Sequence, residues 1–163
     1  MMSIAIGGFM GVGKSTAGRM LAERMALPFV DLDERIERSE GRSVAAIFER
    51  DGEEHFRALE SDALLAALAA PPVVVALGGG ALHRAENIDA LKGKARVLVL
   101  WMPLEALKLR LDRESANRPL WGDADALFLS RDAGYRSAGT MLNVDGLSRS
   151  EVADKLQEVL ACS

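Results

Sequence analysis

The chain has 163 residues, of which 49% are hydrophobic and 27% are charged, a composition typical of one globular domain with one core. Its 20 lysine and arginine residues against 24 aspartate and glutamate residues give a net charge of −4, so we expect a protein that binds neither nucleic acid nor a membrane surface. The one cysteine, Cys162, excludes an intrachain disulfide and a cysteine-based metal site. We predict a single domain over residues 1–163.

Short apolar runs alternate with amphipathic stretches along the chain. The runs that we predict to be strands are residues 3–7, 28–32, 73–77, 96–101 and 140–144. The stretches that we predict to be helices are residues 14–25, 33–39, 43–50, 51–70, 85–91, 104–111 and 126–137, and the segment from 148 onward. Asp51-x-x-Glu54 and Ser148-x-x-Glu151 resemble capping boxes, which begin helices. The alternation predicts a three-layer α/β fold with a five-stranded parallel sheet.

Two apolar segments could be mistaken for targeting or membrane segments. The first, at the N-terminus, has no basic region before it, which argues against a secretory signal. The second, residues 63–82, carries no charge over a length that could span a bilayer, but Pro71 and Pro72 break it in the middle. A helix followed by a buried strand explains this segment better, so we expect a soluble, cytoplasmic protein.

Residues 8–15 carry a phosphate-binding motif. Their sequence, GFMGVGKS, matches G-x-x-x-x-G-K-[ST] at every fixed position and lies between a predicted strand and a predicted helix. Glycines allow the backbone N–H groups to converge on phosphate oxygens, Lys14 adds a positive charge near the β- and γ-phosphates, and the Ser15 hydroxyl can ligate Mg²⁺. The residues that we expect to bind ATP are Gly11, Val12, Gly13, Lys14, Ser15 and Thr16.

The rest of the sequence favours a small-molecule kinase over a GTPase. The guanine-binding pattern N-K-x-D is absent, because Asn87, Asn117 and Asn143 are followed by isoleucine, arginine and valine. No aspartate is followed three residues later by glycine, so the D-x-x-G of a GTPase switch is absent as well. A kinase also needs a site for the acceptor of the phosphoryl group.

Polar residues and glycines collect where the predicted strands end. Asp31 and Asp33 follow the second strand, and the glycines at 78–80 follow the third. Because ligands of parallel sheets bind outside the carboxyl ends of the strands, these residues are candidates for the second substrate site. Three arginines are further candidates, namely Arg57 on the long helix, Arg118 in the polar stretch and Arg131 on the helix after it.

These motifs, in this order, resemble the shikimate kinase family. The resemblance rests on GFMGVGKST, on D-x-D at residues 31–33, on FRALE at 56–60, on GGGA at 78–81, on RPL at 118–120 and on R-x-x-x-Y at 131–135, and it covers nearly the whole chain. It implies an ATP-dependent kinase with a P-loop fold that phosphorylates the 3-hydroxyl of shikimate, on the route to chorismate and the aromatic amino acids. It also implies Mg²⁺ as the cofactor, and we expect a monomer.

The resemblance also implies which residues bind the acceptor. Arg57 and Arg131 match the pair that holds the shikimate carboxylate, which guanidinium groups can meet in bidentate fashion. Asp33 matches the residue that holds ring hydroxyls and lies where a base could accept the 3-hydroxyl proton. Gly79 and Gly80 match the backbone contacts to the same ring.

The nucleotide side is assigned by the same resemblance. Asp31 matches a group that reaches Mg²⁺ through water, near Ser15. Arg118 matches the lid arginine that closes over the γ-phosphate, which makes it the third catalytic candidate beside Lys14 and the acceptor-side aspartate. Arg110 matches a residue that flanks the adenine.

Alternatives stay open at the level of sequence. Arg57 and Glu60 could form a surface ion pair, since they lie three residues apart on a helix. Asp31 and Asp33 could cap helices. The lid, predicted within residues 112–125, is shorter than the family usually has, and this leaves a kinase for another hydroxy acid such as gluconate, or a non-catalytic ATP-binding module, as alternative functions.

Overall fold

Five parallel strands form the centre of the structure, a computed structural model that describes residues 1–69, 72–114 and 124–162. The strands are β1 (Ser3–Gly8), β2 (Phe29–Asp31), β3 (Val74–Ala76), β4 (Ala95–Trp101) and β5 (Thr140–Asn143). Their order in the sheet is β2-β3-β1-β4-β5, and every pairing is parallel. The five-stranded parallel sheet predicted from the sequence is confirmed.

Helices connect the strands. They are α1 (Lys14–Met25), α2 (Leu32–Glu40), α3 (Val44–Asp51), α4 (Glu53–Leu68), α5 (Ala85–Leu91), α6 (Leu104–Glu114), α7 (Ala124–Ala138) and α8 (Arg149–Ala161), with a short 3₁₀ turn at Ala81–His83. Within the three described ranges, none of these helices combines the length and the apolar character that crossing a membrane requires.

The central strands are buried on both faces, as expected of a parallel sheet covered by helices. Every residue of β1 is buried, and Ile6 lies between Ala76 of β3 and Leu98 of β4 in the strand register. Apolar residues that follow one another without alternation, as in β3, suit a strand with no solvent-facing side. This sheet therefore places the ends of β1, β2 and β3 side by side at one edge.

A second, smaller hydrophobic cluster joins α2, α3 and α4. It consists of Ile36, Ile47 and Phe56, all buried, with Phe48 packed against them. The rings of Phe48 and Phe56 lie 4.7 Å apart, centroid to centroid. This cluster holds the three helices that follow β2 as one unit beside the edge of the sheet.

One helix start that the sequence predicts is wrong. Asp51 does not cap α4; it is the last residue of α3, and α4 begins at Glu53 after Gly52. Its carboxylate instead forms an ion pair with Arg42, in which Oδ2 of Asp51 lies 2.6 Å from Nη1 of the guanidinium. The second predicted capping box is confirmed, because the Ser148 hydroxyl accepts the Glu151 N–H and the Glu151 carboxylate accepts the Ser148 N–H.

The helices around the predicted lid are longer than the sequence indicates. Helix α6 extends to Glu114 and α7 begins at Ala124, whereas the sequence predicts a helix end at 111 and a start at 126. The predicted lid, 112–125, therefore includes helical residues at both ends. Its remaining part, with Arg118, lies outside the described residues.

The capping box of α8 generates a stability prediction. The Ser148→Ala substitution removes the hydroxyl that accepts the Glu151 N–H, so we expect the free energy of unfolding to fall by about 1 kcal/mol. For a domain of this size the melting temperature should fall by roughly 2–4 °C, measurable by circular dichroism. As a control, Ser137→Ala removes only a bond to a carbonyl of its own helix and should leave the melting temperature unchanged. Equal melting of the wild type and Ser148→Ala would contradict the role of the cap.

Candidate active site

The loop between β1 and α1 has the geometry of a phosphate-binding loop. Three of its glycines have positive φ angles, 137° at Gly8, 78° at Gly11 and 100° at Gly13. A side chain at Gly8 would also collide with the carbonyl oxygen of Leu100. The Lys14 ammonium donates to the Gly8 and Phe9 carbonyl oxygens, at 2.9 and 3.0 Å. The backbone therefore curls beneath one cation, next to the N-terminus of a helix.

The residue after that lysine meets the end of β2. The Ser15 hydroxyl donates to one carboxylate oxygen of Asp31, and the other carboxylate oxygen accepts the Glu34 N–H at 3.1 Å. Asp31 is thus the N-cap of α2, as one sequence alternative holds, and it also faces the phosphate loop. A hydroxyl beside a carboxylate supplies oxygen ligands of the kind that Mg²⁺ prefers.

Two arginines lie at the other end of the same edge, each against a glycine. Arg57 of α4 and Arg131 of α7 are only 8% and 6% exposed. A Cβ atom at Gly79 would lie 2.9 Å from Nη1 of Arg131, and one at Gly80 would collide with the guanidinium of Arg57. The arginines therefore need the glycines that follow β3, since any side chain there would occupy their positions.

Arg57 forms the ion pair that the sequence leaves open, but this pair is buried. Its Nη1 atom lies 2.9 Å from Oε2 of Glu60, which has no exposed surface. Glu53, an exposed residue, accepts a second bond from the same guanidinium. The surface alternative is therefore excluded. Burial lowers the pKa of Arg131, with the nearby positive charge of Arg57 as a further cause.

Two carboxylate oxygens in the site are buried and make no hydrogen bond within the described residues. They are Oδ1 of Asp33 and Oε1 of Glu60. Both approach Gly78, where a Cβ atom would lie 3.2 Å from the Asp33 oxygen and would collide with the Glu60 oxygen. Burial raises the pKa of Asp33, against the opposing charge of Lys14, and burial likewise raises the pKa of Glu60. A buried acceptor without a donor is suited to a ligand hydroxyl.

All of these groups line one cleft of about 760 Å³. Of the residues predicted from the sequence, the cleft is lined by Gly11, Gly13, Lys14, Ser15, Thr16, Asp31, Asp33, Arg57, Gly79, Gly80, Arg110 and Arg131. Val12 is buried behind the loop, where its carbonyl oxygen lies 3.5 Å from Nη1 of Arg110. Arg118 lies outside the described residues.

Sequence reasoning missed four acidic or basic residues of this cleft as site residues, namely Glu34, Glu37, Glu60 and Arg149. Arg149 begins α8 directly after the capping box. The signal was available, because the loop before α8 follows β5 and so leaves the sheet at the same edge as the other site residues. Glu60 was considered only as a surface partner of Arg57, since its burial depends on contacts that are distant in sequence.

Comparisons with known proteins agree on one family. A family model described as shikimate kinase matches residues 10–161. A bifunctional shikimate kinase/3-dehydroquinate synthase of Thermotoga maritima is 49% identical over 119 residues, which are 73% of this chain and 24% of that longer protein. A shikimate kinase of Thermus thermophilus is 37% identical over 163 positions, covering 96% of this chain and 89% of that protein.

A solved structure gives the same result at the level of the fold. The shikimate kinase of Acinetobacter baumannii in complex with shikimate matches with a TM-score of 0.88 and 33% sequence identity. The match covers 100% of this chain and 95% of that chain.

The raised pKa of Asp33 generates a prediction about stability and pH. A carboxyl whose pKa is raised by folding stabilises the fold below its ordinary pKa of 3.8 and opposes folding above it, where the charged form is held in a buried place. We therefore expect Asp33→Asn to raise the melting temperature at pH 7. The gain should shrink as the pH falls through the raised pKa of the folded state towards 4, because a growing fraction of the wild-type carboxyl is then protonated.

Thermal unfolding at pH 7 and pH 4 measures this difference, with Asp62→Asn on the exposed side of α4 as the control. A melting temperature of Asp33→Asn at or below that of the wild type at pH 7 would show that Asp33 does not oppose folding.

Proposed function

The chain belongs to the shikimate kinase family, and from this premise we propose that it transfers the γ-phosphoryl group of ATP to the 3-hydroxyl of shikimate. The observation that carries the proposal is one cleft that joins a phosphate-binding loop to two buried arginines packed on glycines. A phosphate donor and a small carboxylic acid can bind there together. Family membership favours shikimate over gluconate, and it favours an enzyme over a non-catalytic module.

The arginine pair is proposed to bind the carboxylate of shikimate. Arg57 and Arg131 bring two guanidinium groups into a place shielded from water, where a planar carboxylate can accept bidentate hydrogen bonds. Among the described residues, Glu60 and Glu53 both form their ion pairs with Arg57, and Arg131 has no carboxylate within ion-pair distance. We propose that the carboxylate of the acceptor is the ion-pair partner of Arg131.

Asp33 is proposed to hold the hydroxyl that becomes phosphorylated. Its buried Oδ1 atom has no donor among the described residues, and Lys14 is the cation that most favours its charged form. In the reaction the hydroxyl oxygen forms a bond to the γ-phosphorus while the bond from that phosphorus to the bridging oxygen of ADP breaks. The hydroxyl proton passes to Asp33, and the electron pair of the broken bond stays with ADP.

The loop after β1 is proposed to bind the phosphates of ATP. Backbone N–H groups at residues 11–16 and the Lys14 ammonium stabilise negative charge that shifts between oxygens during transfer. Mg²⁺ would be held by the Ser15 hydroxyl and, through water, by Asp31, whose oxygens already lie together. When bound, the ion neutralises charge on the phosphoryl oxygens. Arg118 is proposed to close over the γ-phosphate.

Two further arginines lie on the nucleotide side of the cleft. Arg110 contacts the phosphate loop through the carbonyl of Val12, and Arg149 begins the last helix. We propose that Arg110 flanks the adenine. The monomer expected from the sequence stays a prediction. Consumption of ATP supports a cytoplasmic location.

The decisive experiment measures ADP release from MgATP in a coupled assay with and without shikimate. We expect a large increase with shikimate and none with gluconate, because membership of the shikimate kinase family favours shikimate as the acceptor. An increase with gluconate but not with shikimate would contradict the proposed acceptor. No increase with either, despite ATP binding, would contradict the proposed transfer.

Removing one arginine of the pair should weaken acceptor binding. For Arg131→Ala we expect a loss of about 1.5–3 kcal/mol, which is a rise in the KM for shikimate of roughly 10- to 100-fold. The KM for MgATP should stay within twofold of the wild type. Arg136→Ala is the matched control, since this exposed arginine lies on the same helix and its one ion pair among the described residues is with Asp132. An unchanged KM for shikimate in Arg131→Ala would remove Arg131 from the site.

The proposed lid arginine should affect the rate rather than binding. For Arg118→Ala we expect kcat to fall by roughly 10³-fold, because a cation at the transferring group acts on the transition state. The KM for shikimate should change little, and Arg113→Ala serves as a control of equal charge. If Arg118→Ala raised the KM for shikimate and left kcat unchanged, the assigned role would be wrong.

A further inference from the structure

The carbonyl oxygen of Gly79 is held by a residue that the proposed mechanism does not use. Tyr135 of α7 is 3% exposed, and its hydroxyl donates a hydrogen bond to this oxygen. Tyr135 lies one helical turn after Arg131, and the two side chains also interact with one another. One buried hydroxyl thus connects the helix that carries an acceptor-binding arginine to the glycines after β3.

A bond to the Gly79 oxygen also sets the direction of the next N–H group. A peptide unit is planar and trans, so the oxygen of Gly79 and the N–H of Gly80 point in opposite directions. Because the oxygen points to Tyr135, the N–H points away from it. Among the described residues this N–H donates no backbone hydrogen bond, so it is available to a ligand.

The side chains of the loop do not fix the orientation of the peptide between Gly79 and Gly80. Gly79 and Gly80 must remain glycines, because Arg131 and Arg57 occupy the positions where their side chains would lie. A peptide between two glycines rotates more freely than any other, since neither residue restricts the backbone through a Cβ atom. Within the loop the Ala81 N–H donates to the Gly78 carbonyl oxygen at 3.1 Å, which closes a turn around this peptide. Such a turn accepts either orientation of its central peptide when glycines occupy it, so the bond from Tyr135 is the contact that selects one orientation.

The tyrosine itself is well fixed. The ring of His83 meets the Tyr135 ring edge-on, with centroids 5.4 Å apart and an interplanar angle of 86°. Space for His83 exists because residue 134 is a glycine, where a Cβ atom would lie 3.1 Å from Nε2 of His83. Burial raises the pKa of Tyr135 to about 12, so the hydroxyl keeps its proton and remains a donor at ordinary pH.

We propose that Tyr135 is a positioning residue that orients the peptide between Gly79 and Gly80, so that the Gly80 N–H faces the hydroxyls of the acceptor. The inference rests on the proposed function, because it assumes that the acceptor ring lies against these glycines. Tyr135 is not among the described residues that line the cleft, so we place its effect on the acceptor in its bond to the backbone. Because Tyr135 also contacts the Arg131 side chain, the glycine signals described below, and not KM alone, identify the effect on the peptide.

The test compares Tyr135→Phe with the wild-type enzyme by steady-state kinetics. The substitution keeps the ring and removes the donor. We expect the KM for shikimate to rise about three- to tenfold, as for one lost hydrogen bond, and the KM for MgATP to stay within twofold. Trp101→Phe is the matched control, since it removes another hydrogen bond to α7, from Trp101 Nε1 to Asp132 at 3.2 Å, without touching Gly79. An equal rise in both variants would overturn the proposal, because general loosening of α7 would then explain it.

A second measurement reads the peptide itself, without any substrate. In protein labelled with ¹⁵N-glycine, the Gly79 and Gly80 amide signals should broaden in Tyr135→Phe, while those of Gly11 and Gly13 should not. Unchanged signals would overturn the proposal. Should Tyr135→Phe fail to fold, His83→Ala removes the edge contact, together with hydrogen bonds between His83 and the backbone of Arg131 and Ser130. The readout for this variant is therefore the glycine signals and not KM: those of Gly79 and Gly80 should broaden, and unchanged signals would count against the proposal.

Different results would contradict the proposed function and the positioning role of Tyr135. A wild-type enzyme without shikimate-dependent turnover would contradict the proposed function, and the glycine signals would still decide whether Tyr135 orients the peptide. Normal turnover with unchanged signals in Tyr135→Phe would leave the function standing and remove the inference.

Discussion

Burial of like charges beside glycines is the constraint on which the rest of this site depends. Arg57 and Arg131 are both taken out of water, and only Arg57 has carboxylate partners among the described residues. A buried charge lowers the free energy of unfolding unless it is paired. Arg131 can therefore gain an ion pair when a carboxylate binds beside it. Asp33 presents the opposite case, an acceptor oxygen that is buried without a donor. Both features cost stability in the free protein, and under the proposed function the carboxylate and a hydroxyl of the acceptor supply the missing partners.

The fold holds this arrangement through two unlike supports. On one side, α4 carries Arg57 and packs with α2 and α3 through a small aromatic and aliphatic cluster that includes Phe56. On the other side, α7 carries Arg131 and packs Phe128 edge-on against Phe9, with ring centroids 5.4 Å apart. To this packing α7 adds two hydrogen bonds, one from Trp101 at the end of β4 and one from Tyr135 to the loop after β3. The first support is an apolar cluster, whereas the second combines apolar packing with hydrogen bonds, which specify orientation as well as distance.

Local patterns in the sequence predicted most of the fold and the nucleotide side of the site, because the phosphate loop and the Ser148 cap depend on residues close in sequence. The predicted Asp51 cap was wrong because a local pattern does not include Arg42. The Asp51 carboxylate forms an ion pair with the Arg42 guanidinium and does not cap α4. Spacing predicted that Arg57 and Glu60 meet, but burial of the pair requires the loop after β3, which is distant in sequence. Contacts such as Tyr135 to Gly79 leave no periodic signature, so sequence alone could not supply them.

The three glycines after β3 limit which mutations of their codons can be tolerated. Each one borders a different functional group, namely Glu60 at Gly78, Arg131 at Gly79 and Arg57 at Gly80. In the genetic code every change at the first or second base of a glycine codon encodes another residue or a stop. Random mutation can therefore alter this stretch silently only at third bases, and each other substitution places a side chain against one of these three groups. In a population of genes, these nine nucleotides should show variation almost entirely at three of them.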